Sequence, residues 1–267
     1  MNFAVIGENI QNSLSPRMHQ WIYNSLGLGC KYKAIDISLN RVDSIVNKLR
    51  KQILNGVNIT IPFKIDFISY LDEIDPLAFK IGAVNCIHSY NGILTGYNTD
   101  YYGFKKLVSY NNIDFNNKEI LVLGAGGASR AICVYLANNK KKFSVLNRNY
   151  NNALSLIQET NCEEYGEVIS GSIPNLSFDV IINSLPASVN ILEILKFLGY
   201  NFKLLDYYID INYHIDEQIH NRIKAQSAIY GLSMLIYQGI RSNEIWMQEN
   251  LEQKIDYSKL YNFLLES

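Results

Sequence analysis

A glycine-rich turn near the middle of the chain has the spacing of a site for a pyrophosphate. An apolar run at 120–123 leads into Gly124-Ala125-Gly126-Gly127-Ala128, and a second apolar stretch follows at 131–136. This pattern predicts a buried strand, a tight turn and a helix that begins at the glycines, whose free backbone amides suit phosphate groups. Ser129 stands where such turns usually have a third Gly or Ala. A tight turn that binds nothing remains the alternative interpretation.

The residues after the next predicted strand, 143–146, bear on which dinucleotide this turn could bind. A site that selects NAD usually has Asp or Glu at this point, to bind the ribose 2′-hydroxyl. This chain has Asn147, Arg148 and Asn149, and an arginine can pair with the 2′-phosphate of NADP and stack on adenine. The pattern favours NADP, while a solvent-exposed surface arginine is the other interpretation.

Two serines near the start of the chain could bind a carboxylate. Ser13 and Ser15 flank the start of a predicted helix that has Pro16 in its first turn, and Ser15 is predicted to be its N-cap. Two hydroxyls beside a helix N-terminus form a receptor for an anion. Capping alone explains the same residues.

Further polar residues follow the third predicted strand, 57–61. Asn58 and Thr60 alternate with apolar residues in that strand, and Lys64 falls in a helix predicted from Pro62. Ligands of α/β proteins bind at the carboxyl ends of the strands, so we expect these three side chains at a ligand site. Asp100 follows a predicted hairpin around the dipeptide at 91–92 and, from sequence alone, is most simply the N-cap of a helix at 101–110.

Strands and helices alternate along most of the chain and must position these residues. The predicted strands before the hairpin are 3–6, 32–35 and 57–61, and those of the second half are 121–123, 143–146, 180–184, 203–206 and 228–230. Helices are predicted between them, including 41–54, 191–198 and 215–225, and two more at 231–248 and 255–265.

This alternation predicts an α/β protein with two domains. We place a substrate domain with a mostly parallel sheet at 1–100 and a Rossmann-type domain at 118–231. A connecting helix and a polar linker occupy 101–117. The helices in 232–267 continue no strand–helix alternation, so we expect them to pack back on the first domain.

The composition disfavours several classes of protein. The 267 residues are 48% hydrophobic and carry a net charge of −1, so there is no basic field for nucleic acid. No apolar run approaches the roughly 20 residues that span a bilayer, and the first residues lack the pattern of a signal peptide, which together predict a cytoplasmic protein without a membrane partner. Neither the four cysteines nor the four histidines have metal-ligand spacing, so no metal and no disulfide framework is expected.

An ordered series of motifs across nearly the whole chain resembles the shikimate dehydrogenase family. The motifs occupy 13–16, 58–64, 82–85, 96–104, 124–131, 147–148 and 231–238. The resemblance implies reversible reduction of 3-dehydroshikimate to shikimate by NADPH, in the biosynthesis of aromatic amino acids. A small-molecule substrate and NADP are the partners that it implies, and it leaves a homodimer open.

The resemblance also assigns roles to residues of this chain. It implies that Lys64 and Asp100 form a catalytic pair and that Ser13 and Ser15 bind the substrate carboxylate. Ring hydroxyls would be bound by Asn58, Thr60, Asn85 and Gln238, and cofactor contacts would include Gly231 as well as the glycine turn. A substrate-contacting tyrosine is expected near the last strands. Distance to Gly231 favours Tyr208, and Asp-x-x-Tyr spacing favours Tyr213; we prefer Tyr208.

Some positions depart from the family pattern, and two other functions stay open. Asn149 and Asn152 stand where the family commonly has Thr and a second basic residue, so a single evident positive charge faces a 2′-phosphate. A quinate/shikimate or aminoshikimate dehydrogenase that tolerates NAD is one alternative. A catalytically silent dinucleotide-binding regulator is the other, and the presence of both Lys64 and Asp100 argues against it.

Overall fold

In a computed structural model, residues 1–38, 41–171, 177–200, 203–213 and 222–266 are described, and the chain divides into two compact units. The first unit combines 1–103 with 235–267, and the second contains 104–234. The return of the C-terminal helices to the first unit agrees with the sequence prediction. Within the described residues, no helix is both long and apolar enough to cross a membrane.

The first unit is built on a six-stranded mixed sheet with the order β2-β1-β3-β5-β6-β4. Its strands are β1 (Asn2–Gly7), β2 (Lys31–Asp36), β3 (Gly56–Ile59), β4 (Glu73–Ile74), β5 (Cys86–Tyr90) and β6 (Ile93–Tyr97). Its pairs β1–β2, β1–β3 and β4–β6 are parallel, whereas β3–β5 and β5–β6 are antiparallel. The hairpin between β5 and β6 turns at Asn91 and Gly92, both with positive φ, as the Asn-Gly signal predicts.

Helices cover this sheet and carry several of the candidate residues. They are α1 (Ser15–Ser25), α2 (Val42–Arg50), α3 (Pro76–Ile81), the first residues of α4 (Asp100–Tyr110), most of α8 (Leu232–Met247), and α9 (Tyr257–Leu265). One buried core cluster includes Ile6, Leu49, Val57, Phe63 and Phe67. Burial of such side chains supplies the main favourable free energy of folding.

The second unit has a six-stranded sheet in which each adjacent pair is parallel. Its strands are β7 (Ile120–Leu123), β8 (Phe143–Leu146), β9 (Gly166–Val168), β10 (Val180–Asn183), β11 (Leu205–Asp210) and β12 (Ala225–Tyr230). The order β9-β8-β7-β10-β11-β12 is that of a Rossmann fold, whose direction of winding reverses between β7 and β10. Its helices include α5 (Gly127–Asn138), α6 (Tyr150–Glu159) and α7 (Ile191–Phe197).

Several predicted elements differ from those of the structure. In place of the helix predicted from Pro62, the chain forms a turn and then a short 3₁₀ helix, Asp66–Tyr70. The prediction relied on the i, i+4 spacing of Phe63 and Phe67, and both side chains are buried in the core without an α-helix. Helix α2 ends at Arg50, and Gln52 adopts a left-handed backbone. Strand β4 and helix α3 were not predicted.

Toward the C-terminus, the helix predicted at 215–225 falls largely outside the described residues, and its last residue belongs to β12. The four cysteines are buried, and none forms a disulfide within the described part of the chain.

Candidate active site

The ion pair between Lys64 and Asp100 lies at the centre of the polar groups in the first unit. Lys64 follows β3, and Asp100 is the first residue of α4. Lys64 Nζ lies 2.5 Å from Asp100 Oδ2, and the two side chains are only 13% and 8% exposed. A nearly buried, paired ammonium can stabilise and exchange a proton with an oxygen placed beside it. The structure therefore brings together two residues that are far apart in sequence.

Asn85 connects this ion pair to the backbone. Its Oδ1 accepts a 2.6 Å hydrogen bond from the Thr99 amide, and its Nδ2 donates to Asp100 Oδ1 at 2.8 Å. Because the backbone amide can only donate and a carboxylate only accepts, the orientation of the Asn85 side chain is determined. Asp100 thus directs one oxygen at Asn85 and the other at Lys64.

Gln238 and Asn58 extend this network. Gln238 Oε1 lies 3.4 Å from both Asn85 Nδ2 and Thr99 Oγ1. Asn58 Nδ2 donates to the Asn85 carbonyl at 3.2 Å, and Tyr32 donates its hydroxyl proton to Asn58 Oδ1 at 2.8 Å. Burial raises the pKa of the Tyr32 hydroxyl well above its ordinary value, so this group remains a donor at neutral pH.

Three residues of this network were not recognised from sequence: Tyr32, Thr99 and Ser242. Ser242 Oγ accepts from Asn58 Nδ2 at 2.8 Å and lies 3.2 Å from Thr99 Oγ1. Thr99 immediately precedes Asp100, and Ser242 lies one helical turn after Gln238. That i, i+4 spacing on a predicted helix is the signal that could have placed Ser242 beside Gln238.

The two serines of the predicted carboxylate receptor lie at the start of α1, but not in the predicted capping arrangement. The N-cap position is Leu14, and Ser15 is the first helical residue. Ser13 Oγ accepts from the Ser15 amide at 3.3 Å. Thr60 directly follows β3 and is half-buried, and its backbone amide donates to the Ile6 carbonyl.

Tyr208, the preferred substrate tyrosine, occupies a position at odds with that role. It belongs to the core cluster of the second unit, is 1% exposed, and donates its hydroxyl proton to Asp210. Burial and the Asp210 carboxylate raise the pKa of its hydroxyl far above the ordinary value. Tyr213 is half-buried and follows the carboxyl end of β11. Strand β11 extends to Asp210, so Tyr208 lies within the strand and Tyr213 lies beyond its carboxyl end.

The glycine turn of the second unit joins β7 to α5. Gly124 has a φ of +109°, a conformation that glycine adopts without strain, and Gly126 caps the helix. A methyl group added at Gly126 would meet no atom within 4 Å, so the backbone is open to a close ligand. Gly127 and Ala128 are the first residues of the helix, where backbone amides have no intrahelical acceptor. Ala125 lies between the glycines.

Ser129 replaces the third glycine of the motif and supports the turn. The Gly126 amide donates to Ser129 Oγ at 3.1 Å, and Ser129 Oγ lies 2.6 Å from Ser184 Oγ. Ser184 in turn donates to the Leu123 carbonyl at 2.6 Å. The hydroxyl protons therefore run from Ser129 to Ser184 to Leu123, and the relay joins the turn to the ends of β7 and β10.

A cleft of about 720 Å³ opens beside this turn. Asn147 and Arg148, at the end of β8, line it, and Arg148 is exposed. Asn149 caps α6 by accepting from the amides of Asn151 and Asn152, so its side chain has a structural role. Leu146, Tyr150, Ile169 and Pro186 supply apolar walls. Such a lining suits an adenosine with a charged group at the Arg148 side.

Gly231 has a packing role. Its amide donates to the Asn212 carbonyl, and a methyl group added to it would lie 1.9 Å from the Ile211 carbonyl oxygen. The close approach of the two backbones thus requires glycine at this position.

Comparison with known proteins identifies both regions. Residues 5–87 match the model for the shikimate dehydrogenase substrate binding domain, and residues 106–220 match that for shikimate / quinate 5-dehydrogenase. The shikimate dehydrogenase (NADP(+)) of Methanococcus vannielii is 35% identical over 278 aligned positions, covering 98% of this chain and 96% of its own. That of Nitrosopumilus maritimus is 36% identical over 259 positions, 91% of this chain and 92% of its own.

A solved structure of the same family superimposes on the chain. The crystal structure of shikimate 5-dehydrogenase from Thermus thermophilus in complex with NADP(H) and shikimate has a TM-score of 0.80 and 27% identity. The alignment covers 100% of this chain and 99% of that one.

Proposed function

This chain belongs to the shikimate dehydrogenase family, and we propose that it catalyses the NADP-dependent interconversion of 3-dehydroshikimate and shikimate in aromatic amino acid biosynthesis. The observation that carries the proposal is the nearly buried pair of Lys64 and Asp100, surrounded by the side chains of Asn58, Asn85 and Gln238. The names of the curated relatives and the ligands of the Thermus structure support NADP as the cofactor.

Lys64 is the proton donor and acceptor in this proposal. NADPH supplies the hydride, and reduction of the ketone builds negative charge on its oxygen. The Lys64 ammonium stabilises that charge and protonates the oxygen, and in the oxidation direction Lys64 accepts the hydroxyl proton. General acid–base catalysis of this kind contributes about 100- to 10,000-fold to the rate.

Asp100 orients Lys64, and Asn85 orients Asp100. The side-chain Nδ2 of Asn85 donates a hydrogen bond to Oδ1 of Asp100, so Oδ2 is the oxygen that pairs with Lys64. A side chain held at both ends loses little entropy on reaching the geometry of reaction, so the pair is prepared before substrate binds.

The other polar groups recognise the substrate. Ser13 and Ser15 bind the ring carboxylate beside the amino end of α1, and Asn58, Thr60, Asn85 and Gln238 bind ring hydroxyls. A substrate that lacks one of these hydroxyls leaves a buried polar group unpaired, at a cost of roughly 1–3 kcal/mol. The burial of Tyr208 supports Tyr213 as the substrate tyrosine instead.

In the second unit, the glycine turn binds the pyrophosphate and Arg148 binds the 2′-phosphate. The openness of Gly126 and the first-turn amides of α5 support the first role. The exposed guanidinium at the edge of the cleft supports the second. The Asn149 side chain caps α6 and is not available to the cofactor in this proposal. Arg148 therefore supplies the positive charge at the cleft, and Asn147 supplies a neutral contact.

Kinetics with two substrates and two cofactors test the proposal. The purified chain should oxidise shikimate with NADP at a higher kcat/KM than quinate with NADP, and at a higher kcat/KM than shikimate with NAD. Quinate turnover equal to that of shikimate would favour a quinate/shikimate dehydrogenase. The family that matches residues 106–220 is described as shikimate / quinate 5-dehydrogenase, so quinate is the alternative substrate to test. Binding of NADPH without turnover of either substrate would favour a regulatory protein and reject the enzyme.

A further inference from the structure

We propose that Ser242 is a positioning residue that fixes the Asn58 side chain as a hydrogen-bond acceptor for a substrate hydroxyl. The inference rests on the proposed function, since it concerns how the same site recognises its substrate. Ser242 lies on α8, one helical turn after Gln238, and is fully buried.

The orientation of the Asn58 amide follows from its neighbours. Asn58 Nδ2 lies 3.2 Å from the Asn85 carbonyl oxygen, which can only accept, so the nitrogen must face this way. The second N–H of the same nitrogen donates to Ser242 Oγ at 2.8 Å. Both donors of Asn58 are therefore occupied within the protein.

The other end of the amide has spare capacity. Asn58 Oδ1 accepts from the Tyr32 hydroxyl at 2.8 Å, and a carbonyl oxygen has two lone pairs. Among the described residues no second donor contacts Oδ1, so one lone pair on it is the remaining hydrogen-bonding capacity of this side chain. Asn58 can thus accept a hydrogen bond from a hydroxyl of the substrate, but it cannot donate one to a ketone or an ether at the same ring position.

Ser242 can hold this arrangement because its own hydroxyl proton is committed. Ser242 Oγ donates to the Gln238 carbonyl at 2.9 Å, so its lone pairs are directed to the site. They accept from Asn58 Nδ2, and Thr99 Oγ1 lies 3.2 Å away. Ser242 thereby joins β3 and the residue before Asp100 to the helix that carries Gln238.

The test is a comparison of steady-state kinetics with shikimate and NADP. Ser242→Ala removes the shorter of the two hydrogen bonds that hold Asn58 Nδ2, so the amide is held less firmly and we expect KM for shikimate to rise about 5-fold or more. We expect kcat to change by less than about 2-fold, since Lys64 and Asp100 keep their contacts, and KM for NADP to stay constant. Ser242→Thr retains the hydroxyl and should restore the wild-type KM.

Ser89→Ala is the matched control. Ser89 is 3% exposed in the same unit and donates a 2.6 Å hydrogen bond to the Leu49 carbonyl, away from the site. Its loss should lower Tm and leave KM for shikimate unchanged. Ser242→Cys, which has a similar volume and weaker hydrogen bonding, provides a second variant if Ser242→Ala does not fold, and it should raise KM in the same direction.

The outcomes separate this inference from the proposed function. A Ser242 variant that has a lowered Tm and an unchanged KM for shikimate, as expected for Ser89→Ala, would overturn the positioning role. The proposed function would still stand if the wild-type chain turns over shikimate. Failure of the wild-type chain to turn over shikimate would reject the proposed function, and with it the inference. An equal rise in KM for Ser242→Thr and Ser242→Ala would also overturn it, because the hydroxyl would then be irrelevant.

Discussion

Asn85 donates a 2.8 Å hydrogen bond to Oδ1 of Asp100, so the carboxylate meets Lys64 through its other oxygen, 2.5 Å from Nζ. The two bonds keep the carboxylate in one rotational state. Asn85 is itself held by the Thr99 amide. The position of the lysine therefore depends on a chain of contacts that begins at the backbone.

Loss of Lys64 should strongly reduce turnover and leave substrate binding largely intact. We expect Lys64→Ala to lower kcat by about 100- to 10,000-fold, because no other cationic side chain is paired with Asp100 in the described part of the chain. Shikimate affinity, measured by isothermal titration, should change much less. Lys51→Ala, an exposed lysine in the turn after α2, is the control and should behave as wild type. An unchanged rate for Lys64→Ala would refute the catalytic role.

Removal of Arg148 should affect one cofactor and spare the other. Arg148→Gln would remove the proposed charge-assisted hydrogen bond to the 2′-phosphate. Such a bond is worth about 1.5–3 kcal/mol, so KM for NADPH should rise about 10- to 100-fold. NADH lacks that phosphate, so KM for NADH should stay within about 2-fold of the wild-type value. This measurement is the internal control. An equal rise for both cofactors would place Arg148 at another part of the nucleotide.

Two glycine substitutions should separate ligand binding from packing. Gly126→Ala adds a methyl group in open space, so we expect wild-type Tm but weaker NADPH binding, since the phosphates must approach this backbone. Gly231→Ala drives a methyl group into the Ile211 carbonyl and should cost about 1–3 kcal/mol of unfolding free energy. Thermal melts and NADPH fluorescence titrations measure the two effects. Tight NADPH binding by Gly126→Ala would contradict the assigned site.

The serine relay beneath the glycine turn should act as a unit. Ser129→Ala and Ser184→Ala each break the path from the Gly126 amide to the Leu123 carbonyl, so each should weaken NADPH binding several-fold. The double variant should be little weaker than either single variant, because the relay is already broken. Ser144→Ala removes a buried hydroxyl that bonds to Glu167 in the same unit, and it should leave affinity unchanged. Additive losses would show that the serines act independently.

His19 should make the fold sensitive to mild acid. Burial lowers the pKa of His19 from 6.5 to about 3, while the unfolded chain binds the proton near pH 6.5. Below pH 6.5 the unfolded chain gains a proton on His19 that the folded chain does not bind. The free energy of unfolding is therefore unaffected by His19 above pH 6.5 and falls as the pH drops toward 3, by up to about 1.4 kcal/mol per pH unit. In His19→Gln, urea midpoints should fall less steeply between pH 7 and pH 5 than in wild type. Parallel slopes in the two proteins would exclude His19 as the cause.

Local patterns were enough to predict the architecture. Alternating strands and helices and the glycine turn at 124–128 indicated a Rossmann unit, because these features depend on residues close together in sequence. The hairpin at 91–92 followed from two residues alone. The helix predicted from Pro62 was wrong, because a 3₁₀ turn and an α-helix both place Phe63 and Phe67 in the core.

The sequence by itself determined the two-domain α/β class and which residue types could bind a dinucleotide and a polyhydroxylated acid. The tertiary structure decided how the polar groups pair, because the partners lie far apart in the chain: Asn58 and Ser242 are 184 residues apart, and Lys64 and Asp100 are 36 apart. It also decided that the Tyr208 side chain is buried, since burial depends on the position of β11 in the sheet. Hydrogen-bond capacity is a property of the assembled neighbours, so only the fold could show that the described residues leave Asn58 one acceptor position.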